Sequence, residues 1–416
     1  MNLSYNCQTS KKNKIESMKK ILLFVAFCFI YSNINAQQII FSDSVQISLI
    51  TCAPGQEVYA KFGHTGLRVN DLSNGLDVVF NYGIFSFNTE NFYFKFIKGE
   101  TDYLLGVQLT SDFLTEYKLR NSMVWEQILN LSLSEKRKII NDLLINYEPQ
   151  NRVYRYNFIF DNCATRPRDK IISGLDGQIQ YSKHLNIITY RQWVGRYVGE
   201  DTWLKFGIDL IFGMDADKNC KPFQSMFLPE ILMAEFQNSN VVQADTTNTK
   251  RLVASNNILV QASVKSTKES SIQNQPLFFT LLLLFFGIII SFIEIKRHKY
   301  FKLFDSILLI VTGFIGIVAF YLMFISIHPM VKNNLNLLWL NPLNLIAAIL
   351  IWIKGQKKLL NIYMIISLAF ILIILIVTAF SLQFLNLAFI PLIILLLLRY
   401  TMWIFDYNKN FIRRNI

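Results

Sequence analysis

The sequence predicts an exported α+β domain followed by an all-α transmembrane domain with five helices. Three observations support this prediction. Residues 18–36 have a charged start and a short apolar core, as secretory signal peptides do. Residues 37–240 mix short strand-like runs with an amphipathic helix. Beyond residue 276, the 416-residue chain consists largely of apolar runs that are long enough to cross a bilayer as helices.

The first 36 residues are predicted to precede the folded domain. Residues 1–17 are polar, contain several lysines and predict no fold, so we interpret them as a non-native or disordered leader. Met18 and two lysines then precede the apolar run ILLFVAFCFIY, and Ala36 provides a small residue at the cleavage position of a signal peptide. We expect Met18 to be the true start of the protein.

Residues 37–240 are the predicted exported domain. Runs typical of strands, separated by Gly, Asn, Asp and Ser, are found at residues 45–51, 66–69, 77–82 and 104–109. Residues 134–147 form the clearest helix, with Ser134 as its predicted N-cap and its apolar residues on one face. This mixture of elements predicts an α+β domain.

The stretch YRYNFIFDNCATRPRDKIISGL, at residues 154–175, contains the first candidate catalytic residue. Aromatic residues alternate with others over 154–160, which predicts a strand. Asp161 and Asn162 are good helix caps, so a short helix should begin close to Cys163 and end at Gly174. The positive end of a helix dipole favours a thiolate over a thiol. Cys163 is therefore a candidate nucleophile, and the alternative is a small buried structural cysteine.

A histidine that could partner Cys163 lies in the run YAKFGHTGLRV, at residues 59–69. His64 sits there between glycines, and its flanks read as strands. His298 and His328 fall in or beside the membrane segments, which leaves His184 as the only rival in the exported domain. A cysteine and a histidine that are far apart in sequence can meet in a fold and form a thiolate–imidazolium pair.

Charge and cysteine content limit the possible partners. Much of the net charge of +12 lies in the leader and in short loops between apolar runs, so membrane topology explains it better than a nucleic-acid partner does. Three cysteines remain after the signal peptide. They allow either a disulfide between Cys52 and Cys220 with a free Cys163, or three free thiols. Nothing in the sequence predicts a metal or a cofactor.

Residues 241–275 are polar, contain no aromatic residue and are predicted to be a linker. Apolar runs then follow at about 277–294, 304–327, 335–353, 359–381 and 384–402, which predict a transmembrane domain over residues 276–404 and a basic cytoplasmic tail over 405–416. Basic residues follow the first, third and fifth runs. The positive-inside rule therefore places those loops and the C-terminus in the cytoplasm, and residues 37–275 outside it, which predicts a multi-pass membrane protein.

One connection on the predicted outer side, HPMVKNNLNLLWLNPL at residues 328–343, carries polar groups into the third predicted span. Asn336 and Asn341 at membrane depth need partners, and His328 lies beside them. These three residues are candidates for substrate binding. The alternative is a set of hydrogen bonds between helices together with a proline kink.

Taken in order, the motifs FGHTGLRV, FNYGIFSF, YRYNFIFDNCATRPRD and HPMVKNNLNLLWLNPL resemble the Lnb-type proteins of Bacteroidetes. The resemblance covers nearly all of the chain beyond the leader. It implies a multi-pass protein of the bacterial inner membrane, with a periplasmic catalytic domain fused to a characteristic membrane domain. It also implies that the catalytic domain has a permuted papain-like fold, in which a strand histidine faces a cysteine at a helix N-terminus. It also implies a lipoprotein N-acyltransferase, which moves an acyl chain from a membrane phospholipid to the N-terminal amine of a diacylglyceryl lipoprotein.

The residue roles that follow are hypotheses. By motif, Cys163 matches the family cysteine and His64 the family histidine. Asn81 is preferred over Asp77 as the residue that orients His64. Candidates for substrate binding near the cysteine are Asn162, Arg166 and Arg168, the two arginines through a lipid phosphate. Two alternatives stay open: a periplasmic cysteine peptidase or amidohydrolase that acts on cell-wall peptide, and a non-catalytic membrane-anchored binding protein.

Overall fold

A computed structural model describes residues 41–181, 187–243, 249–263 and 275–415, with side chains described up to residue 405. Residues Ser44–Ile416 form one compact unit. Its first part is an α+β domain built on an antiparallel sheet, and its second part is a helical bundle, so the predicted fold class is confirmed. The predicted leader at 1–17 and signal peptide at 18–36 lie outside the described residues.

Seven of the ten described strands form one antiparallel sheet in the order β10-β5-β1-β2-β3-β4-β6, and the other three form a small sheet in the order β7-β8-β9. Interior strand β1 is buried over its last six residues, so both of its faces are covered. The strands are β1 Gln46–Cys52, β2 His64–Asp71, β3 Leu76–Ile84, β4 Asp102–Leu109, β5 Val124–Leu129, β6 Val153–Arg155, β7 Gly177–Gln180, β8 Asn240–Gln243, β9 Thr249–Arg251 and β10 Val253–Val260.

Eight described helices accompany these sheets. They are α1 Phe92–Lys98, α2 Thr110–Leu119, α3 Leu133–Tyr147, α4 Thr165–Gly174, α5 Tyr190–Val198, α6 Trp203–Ile211, α7 Pro222–Ser225 and α8 Pro229–Gln237. The predicted helix at 134–147 is α3, but its cap is Ser132, which forms a capping box with Glu135. The hydroxyl of Ser134, the predicted cap, donates instead to Asp176.

Strand register decides which residues share the face of the sheet that carries the candidate histidine. His64 lies directly opposite Cys52, and Asn81 lies directly opposite Gly66, two residues further along β2. Directly paired residues project from the same face, as do residues two apart on one strand. His64 and Asn81 therefore share a face, and Phe113 of helix α2 packs over it.

The prediction of a linker over residues 241–275 is wrong for its described part. Strand β10 pairs with β5 and completes an edge of the large sheet, while β8 and β9 join the small one. The polar composition of this segment wrongly indicated a linker. Strand β10 lies at the edge of the sheet and its middle residues are exposed, so it needs few apolar side chains.

The described part of the bundle contains α9 Pro276–Arg297, α10 Lys302–Phe324, α11 Asn344–Leu350, α12 Lys357–Ala379 and α13 Phe389–Asn415. Helices α9, α10 and α12 are long and apolar enough to cross a membrane, and the apolar part of α13, Phe389–Phe405, is shorter. Helix α13 also continues through the residues predicted to be a tail.

The third predicted span, at residues 335–353, is not one long helix. A short 3-10 turn, Leu335–Leu338, is followed by irregular chain and then by the seven-residue helix α11. The segment nevertheless runs antiparallel to α10: a Cβ on Gly316 would meet the Leu340 carbonyl at 2.0 Å, and Trp352 Nε1 donates to Ser306 Oγ at 2.8 Å. Irregular backbone is tolerated at membrane depth where protein surrounds it.

Helix α13 contributes a buried cation to the bundle. Arg399 is 1% exposed and pairs with Glu294 of α9 at 2.6 Å and with Asp305 of α10 at 2.5 Å. Trp403 Nε1 donates to the same Asp305 carboxylate at 2.7 Å. The two carboxylates compensate the buried guanidinium, so this cluster fixes how three helices pack.

The α+β domain is joined to the bundle by buried hydrogen bonds. The Gly213 N–H donates to the Met330 carbonyl at 2.9 Å, and a Cβ on Gly213 would lie 1.8 Å from the Lys332 carbonyl oxygen. Asn386 Nδ2 donates to the carboxylate of Asp209 in helix α6 at 2.8 Å. The joint has no room for a side chain at residue 213, so the domain is held firmly against one end of the bundle.

Candidate active site

Cys163 lies in the turn that leads into helix α4. The predicted strand at 154–160 is wrong beyond β6, because the Asn157 side chain accepts hydrogen bonds from the N–H groups of Ile159 and Phe160 and closes a turn. Asn162 Oδ1 then accepts from the N–H groups of Ala164 and Thr165 and caps the helix. The predicted helix start near Cys163 and end at Gly174 are confirmed.

His64 is the first residue of strand β2. The preceding Gly63 has a φ of +76°, and a Cβ there would lie 2.6 Å from the Cys52 carbonyl oxygen, so only glycine fits this entry into the strand. His64 Nε2 lies 2.7 Å from Asn81 Oδ1. Asn81 Nδ2 in turn faces Gln108 Oε1 at 3.5 Å, which fixes the orientation of the amide.

The structure brings Cys163 and His64 together at the end of strand β3. The thiol and the imidazole are hydrogen-bonded, and since Nε2 faces Asn81, Nδ1 is the ring nitrogen available to the sulphur. Gly83 borders both side chains: a Cβ there would lie 3.5 Å from Cys163 Cβ and 3.8 Å from His64 Cε1. With a φ of +96°, Gly83 also occupies backbone space that other residues rarely adopt.

The electrostatics of the pair favour its charged form. Burial raises the pKa of the Cys163 thiol, but the His64 charge and hydrogen bonds outweigh burial, and the pKa lies below its ordinary value. Burial lowers the pKa of His64, but the Cys163 charge and the hydrogen bonds that the ring donates to Cys163 and to Asn81 raise it above its ordinary value. Opposite shifts in two adjacent groups are the signature of a thiolate–imidazolium pair.

Two backbone N–H groups point at the sulphur. Those of Cys163 itself and of Thr65 both hydrogen-bond it and lower its pKa. Such donors can also stabilise negative charge that develops on a carbonyl oxygen attached to the sulphur. The sequence suggested the Cys163 N–H for this role, whereas the contribution of Thr65 depends on how β2 meets the Cys163 turn.

Three predicted substrate-binding residues near Cys163 have other contacts. Asn162 is buried and anchors the turn, since its Nδ2 donates to the Phe158 and Phe227 carbonyls. Arg166 pairs with Asp161 through two nitrogens, at 2.6 and 2.8 Å. Its guanidinium also lies over the Tyr154 ring at 3.6 Å.

Arg168 is similarly occupied. It is buried, pairs with Asp169 at 2.7 Å, donates to the Phe223 carbonyl and lies over the Phe223 ring. These contacts position helix α4 and give no support to phosphate binding by either arginine.

Two of the three predicted residues of the membrane segment, Asn336 and His328, contact the α+β domain, whereas the described contacts of Asn341 lie within its own turn. Asn336 is fully buried and donates to the carbonyls of Asp209 and Leu210. Asn341 Oδ1 accepts from the Leu343 N–H in a turn. His328 Nε2 donates to the Phe96 carbonyl at 2.9 Å. The described contacts do not bring any of the three to the Cys163–His64 pair.

The described cysteines decide between the two arrangements that the sequence allowed, a disulfide or three free thiols. Cys52, Cys163 and Cys220 are all free thiols, so the Cys52–Cys220 disulfide is absent from the described residues. Burial raises the pKa of Cys52, and it raises the pKa of Cys220 to about 12, so both favour the neutral thiol at neutral pH. His184, the rival histidine, lies outside the described residues.

Aromatic residues that were not among the predicted site residues surround the Cys163–His64 pair. Tyr156 stacks on Tyr103 with ring centroids 4.1 Å apart, and Tyr103 stacks on Phe85 at 4.8 Å. Burial raises the pKa of Tyr103 to about 12, and the Cys163 charge contributes to this shift, which places Tyr103 close to the thiolate. The density of aromatic residues between 80 and 103 was the available signal.

Comparison with known families supports the division of the chain. A family model for the Lnb N-terminal periplasmic domain matches residues 33–196, and one for the Lnb transmembrane domain matches residues 267–410. The chain belongs to the Lnb-type family. It is therefore a membrane protein with a periplasmic N-terminal domain, and His64, Asn81 and Cys163 all lie within the match to the Lnb periplasmic domain. No curated protein and no solved structure matches the chain.

Proposed function

We propose that the protein is a membrane-bound lipoprotein N-acyltransferase that carries an acyl chain on Cys163. The observation that carries this proposal is the Cys163–His64–Asn81 arrangement, with a lowered cysteine pKa and a raised histidine pKa, in a domain locked onto a membrane bundle. A thiolate–imidazolium pair supplies the nucleophile and the acid–base group that covalent acyl transfer requires. Membership of the Lnb-type family supports the same reaction class.

In the first half of the proposed reaction, the Cys163 thiolate attacks an ester carbonyl of a phospholipid. The carbonyl oxygen gains negative charge and is stabilised by the N–H groups of Cys163 and Thr65. The C–O bond to the glycerol then breaks, and the His64 imidazolium gives its proton to the leaving alkoxide. The products are a lysophospholipid and an acyl thioester on Cys163.

In the second half, the amine of a diacylglyceryl lipoprotein attacks the thioester. Neutral His64 accepts the proton that the amine loses, the C–S bond breaks, and Cys163 returns as a thiolate beside imidazolium. Asn81 holds His64 in one ring orientation through both halves, because its Oδ1 stays on Nε2.

The membrane bundle makes physical sense for this reaction. Both proposed substrates are lipids, and moving an acyl chain from a bilayer into water costs roughly 0.8 kcal/mol per CH₂. A domain whose joint with the bundle buries Asn336 and Gly213 is held at the membrane surface, where neither lipid has to be extracted. A hydrolase of soluble cell-wall peptide would gain nothing from this joint.

The test is the N-terminal acylation state of lipoproteins, measured by mass spectrometry in cells that lack their own N-acyltransferase. We expect the intact protein to add a third acyl chain and Cys163→Ser to add none. Cys220→Ser is the matched control, because Cys220 is a buried cysteine with a raised pKa in a separate apolar cluster, and it should retain activity.

If the intact protein reaches the membrane and no third chain appears, the acyltransferase proposal fails. Cleavage of cell-wall peptide by the intact protein and the same two variants then tests whether the Cys163–His64 pair serves a peptidase or amidohydrolase. Activity in that assay that depends on Cys163 would establish the alternative.

A further inference from the structure

Helix α1, with the sequence FYFKFIK, presents an apolar surface outside the bundle. Five of its seven residues are aromatic or aliphatic, yet of these only Phe92 is buried. Tyr93, Phe94, Phe96 and Ile97 are all exposed, Phe94 by 62%. A contiguous exposed apolar patch on a helix marks a surface that has a partner.

The helix is attached to the end of a membrane span. The Phe94 ring lies 6.3 Å from the ring of Tyr321, in the last turn of α10. The Ile327 N–H donates to the Lys98 carbonyl at 2.8 Å, and Gly99, whose Cβ would lie 2.9 Å from the Ile327 side chain, allows this close approach. Helix α1 therefore continues the apolar surface of α10 at the point where the span leaves the membrane.

A row of aromatic rings connects this helix with the candidate active site. Phe96 stacks on Phe92 at 6.1 Å, Phe92 on Phe85 at 5.8 Å, and Phe85 on Tyr103 at 4.8 Å. Tyr156 extends the row by stacking on Tyr103 at 4.1 Å. Phe85 follows two residues after Gly83, which lies against Cys163, so the row passes close to the sulphur. The Cys163 charge also contributes to the raised pKa of Tyr103 and of Tyr156 at the inner end of the row.

We propose that helix α1 is seated among the phospholipids of the periplasmic leaflet and that the aromatic row behind it receives a phospholipid acyl chain on its way to Cys163. The acyl-chain route rests on the proposed function, whereas the contact of α1 with lipid does not. The site would take a long saturated or unsaturated hydrocarbon chain, since aromatic rings line it.

Lipid fits this surface better than water or a second copy of the chain. Aromatic side chains are enriched at membrane–water interfaces, where one edge is apolar and the other wet. Lys95, on the same helix, has a long stem that can reach phosphate headgroups while its methylenes stay in the apolar layer. The direct contact between Phe94 and the span residue Tyr321 places this face at the level of the bilayer.

The first experiment maps lipid contact on the full chain, reconstituted in vesicles of phosphatidylethanolamine and phosphatidylglycerol that contain a phospholipid with a photoactivatable acyl chain. Peptide mapping by mass spectrometry should find adducts on residues 92–98 as well as on α9, α10 and α12. The peptide that contains Leu72, at the far end of strand β2, should carry none. Unlabelled α1 beside labelled spans would overturn the proposal, and this is also the result expected if a second copy covers the face.

The second experiment tests the acyl-chain route through the rate of acyl-enzyme formation on Cys163. Phe96→Ser, which removes the ring at the outer end of the row, should slow acylation by vesicle phospholipid at least tenfold more than acylation by a water-soluble aryl butyrate. Leu72→Ser is the matched control: Leu72 is 77% exposed, apolar and remote from α1, and it should slow neither reaction. Equal effects of Phe96→Ser on the two donors would overturn the route.

Together, the two experiments distinguish failure of the proposed acyltransferase function from failure of the inference about helix α1. If the unaltered protein forms no acyl-enzyme with either donor, the proposed function fails, and the labelling of α1 alone decides whether this helix contacts lipid. If the unaltered protein is acylated and α1 stays unlabelled, the function stands and the inference about α1 fails.

Discussion

Replacing Asn81 with alanine is expected to narrow the pH range over which Cys163 reacts. Burial opposes a charged His64, but the Cys163 charge and the hydrogen bonds that the ring donates to Cys163 and to Asn81 raise its pKa above the ordinary value. Removing the Asn81 bond lowers the pKa of His64. The imidazolium then supports the thiolate less well, so the pKa of Cys163 rises.

The sign of each change follows from the pair. Below the pKa of Cys163 the nucleophile is protonated, and above the pKa of His64 the acid that protonates the leaving group is lost. Asn81→Ala therefore moves the acidic limb of the rate profile to higher pH and the alkaline limb to lower pH. Both limbs move inwards.

The size of the effect follows from the 2.7 Å bond between His64 Nε2 and Asn81 Oδ1. A hydrogen bond to a charged group contributes about 1.5–3 kcal/mol. Since about 1.4 kcal/mol corresponds to one pKa unit, the limbs should approach each other by about one to two pH units in total. The same loss corresponds to a fall of about 10- to 100-fold in kcat/KM for acylation.

The assay is the rate of acyl-enzyme formation with a soluble aryl ester between pH 5 and pH 10. Asn81→Asp is the matched control, because it keeps an acceptor at the same place, adds a negative charge, and should move the alkaline limb to higher pH. A slower Asn81→Ala variant whose limbs stay at their original pH would refute the reasoning, because a merely structural loss lowers the rate without moving the profile.

Two further predictions concern packing. Gly83→Ala and Gly75→Ala both place a side chain at a positive φ and should each destabilise the protein by about 1–2 kcal/mol in thermal unfolding. Only Gly83→Ala should also slow acylation, because its methyl group would border Cys163; equal rates in the two variants would contradict the proposed position of the sulphur. Arg399→Leu leaves two buried carboxylates unpaired and should cost about 3–5 kcal/mol in detergent-solubilised protein. Arg297→Leu, at an exposed helix end, should change stability by less than about 0.5 kcal/mol, and a similar loss in both variants would refute a special role for the buried cluster.

Local patterns were sufficient where neighbouring residues alone decide the structure. The four predicted strands correspond to β1–β4, because alternating side chains fit a pleated sheet with covered faces. Helix α4 begins after Asn162 because a side-chain oxygen on the preceding turn satisfies its first N–H groups. These signals act within a few residues, so the sequence alone carries them.

Local patterns misled where a distant partner decides. The polar run 253–260 is a strand because β5 supplies its hydrogen bonds. The apolar run 335–353 is not one continuous helix, because protein contacts in the bundle allow irregular backbone between its two short helical segments. Arg166 looked free to bind phosphate, but Asp161 and the Tyr154 ring occupy its guanidinium. None of these partners can be inferred from the composition of the segment itself.

The sequence by itself determined the two candidate reactive groups, the order of an exported domain and a membrane domain, and the helix that starts beside Cys163. The tertiary structure decided which polar residue meets His64. Asp77 and Asn81 lie on the same face of β3, four residues apart, so the strand pattern cannot choose between them. The pairing of β2 with β3 sets Asn81 against His64 and Asp77 against Arg68, because strand register is fixed by contacts across the whole sheet.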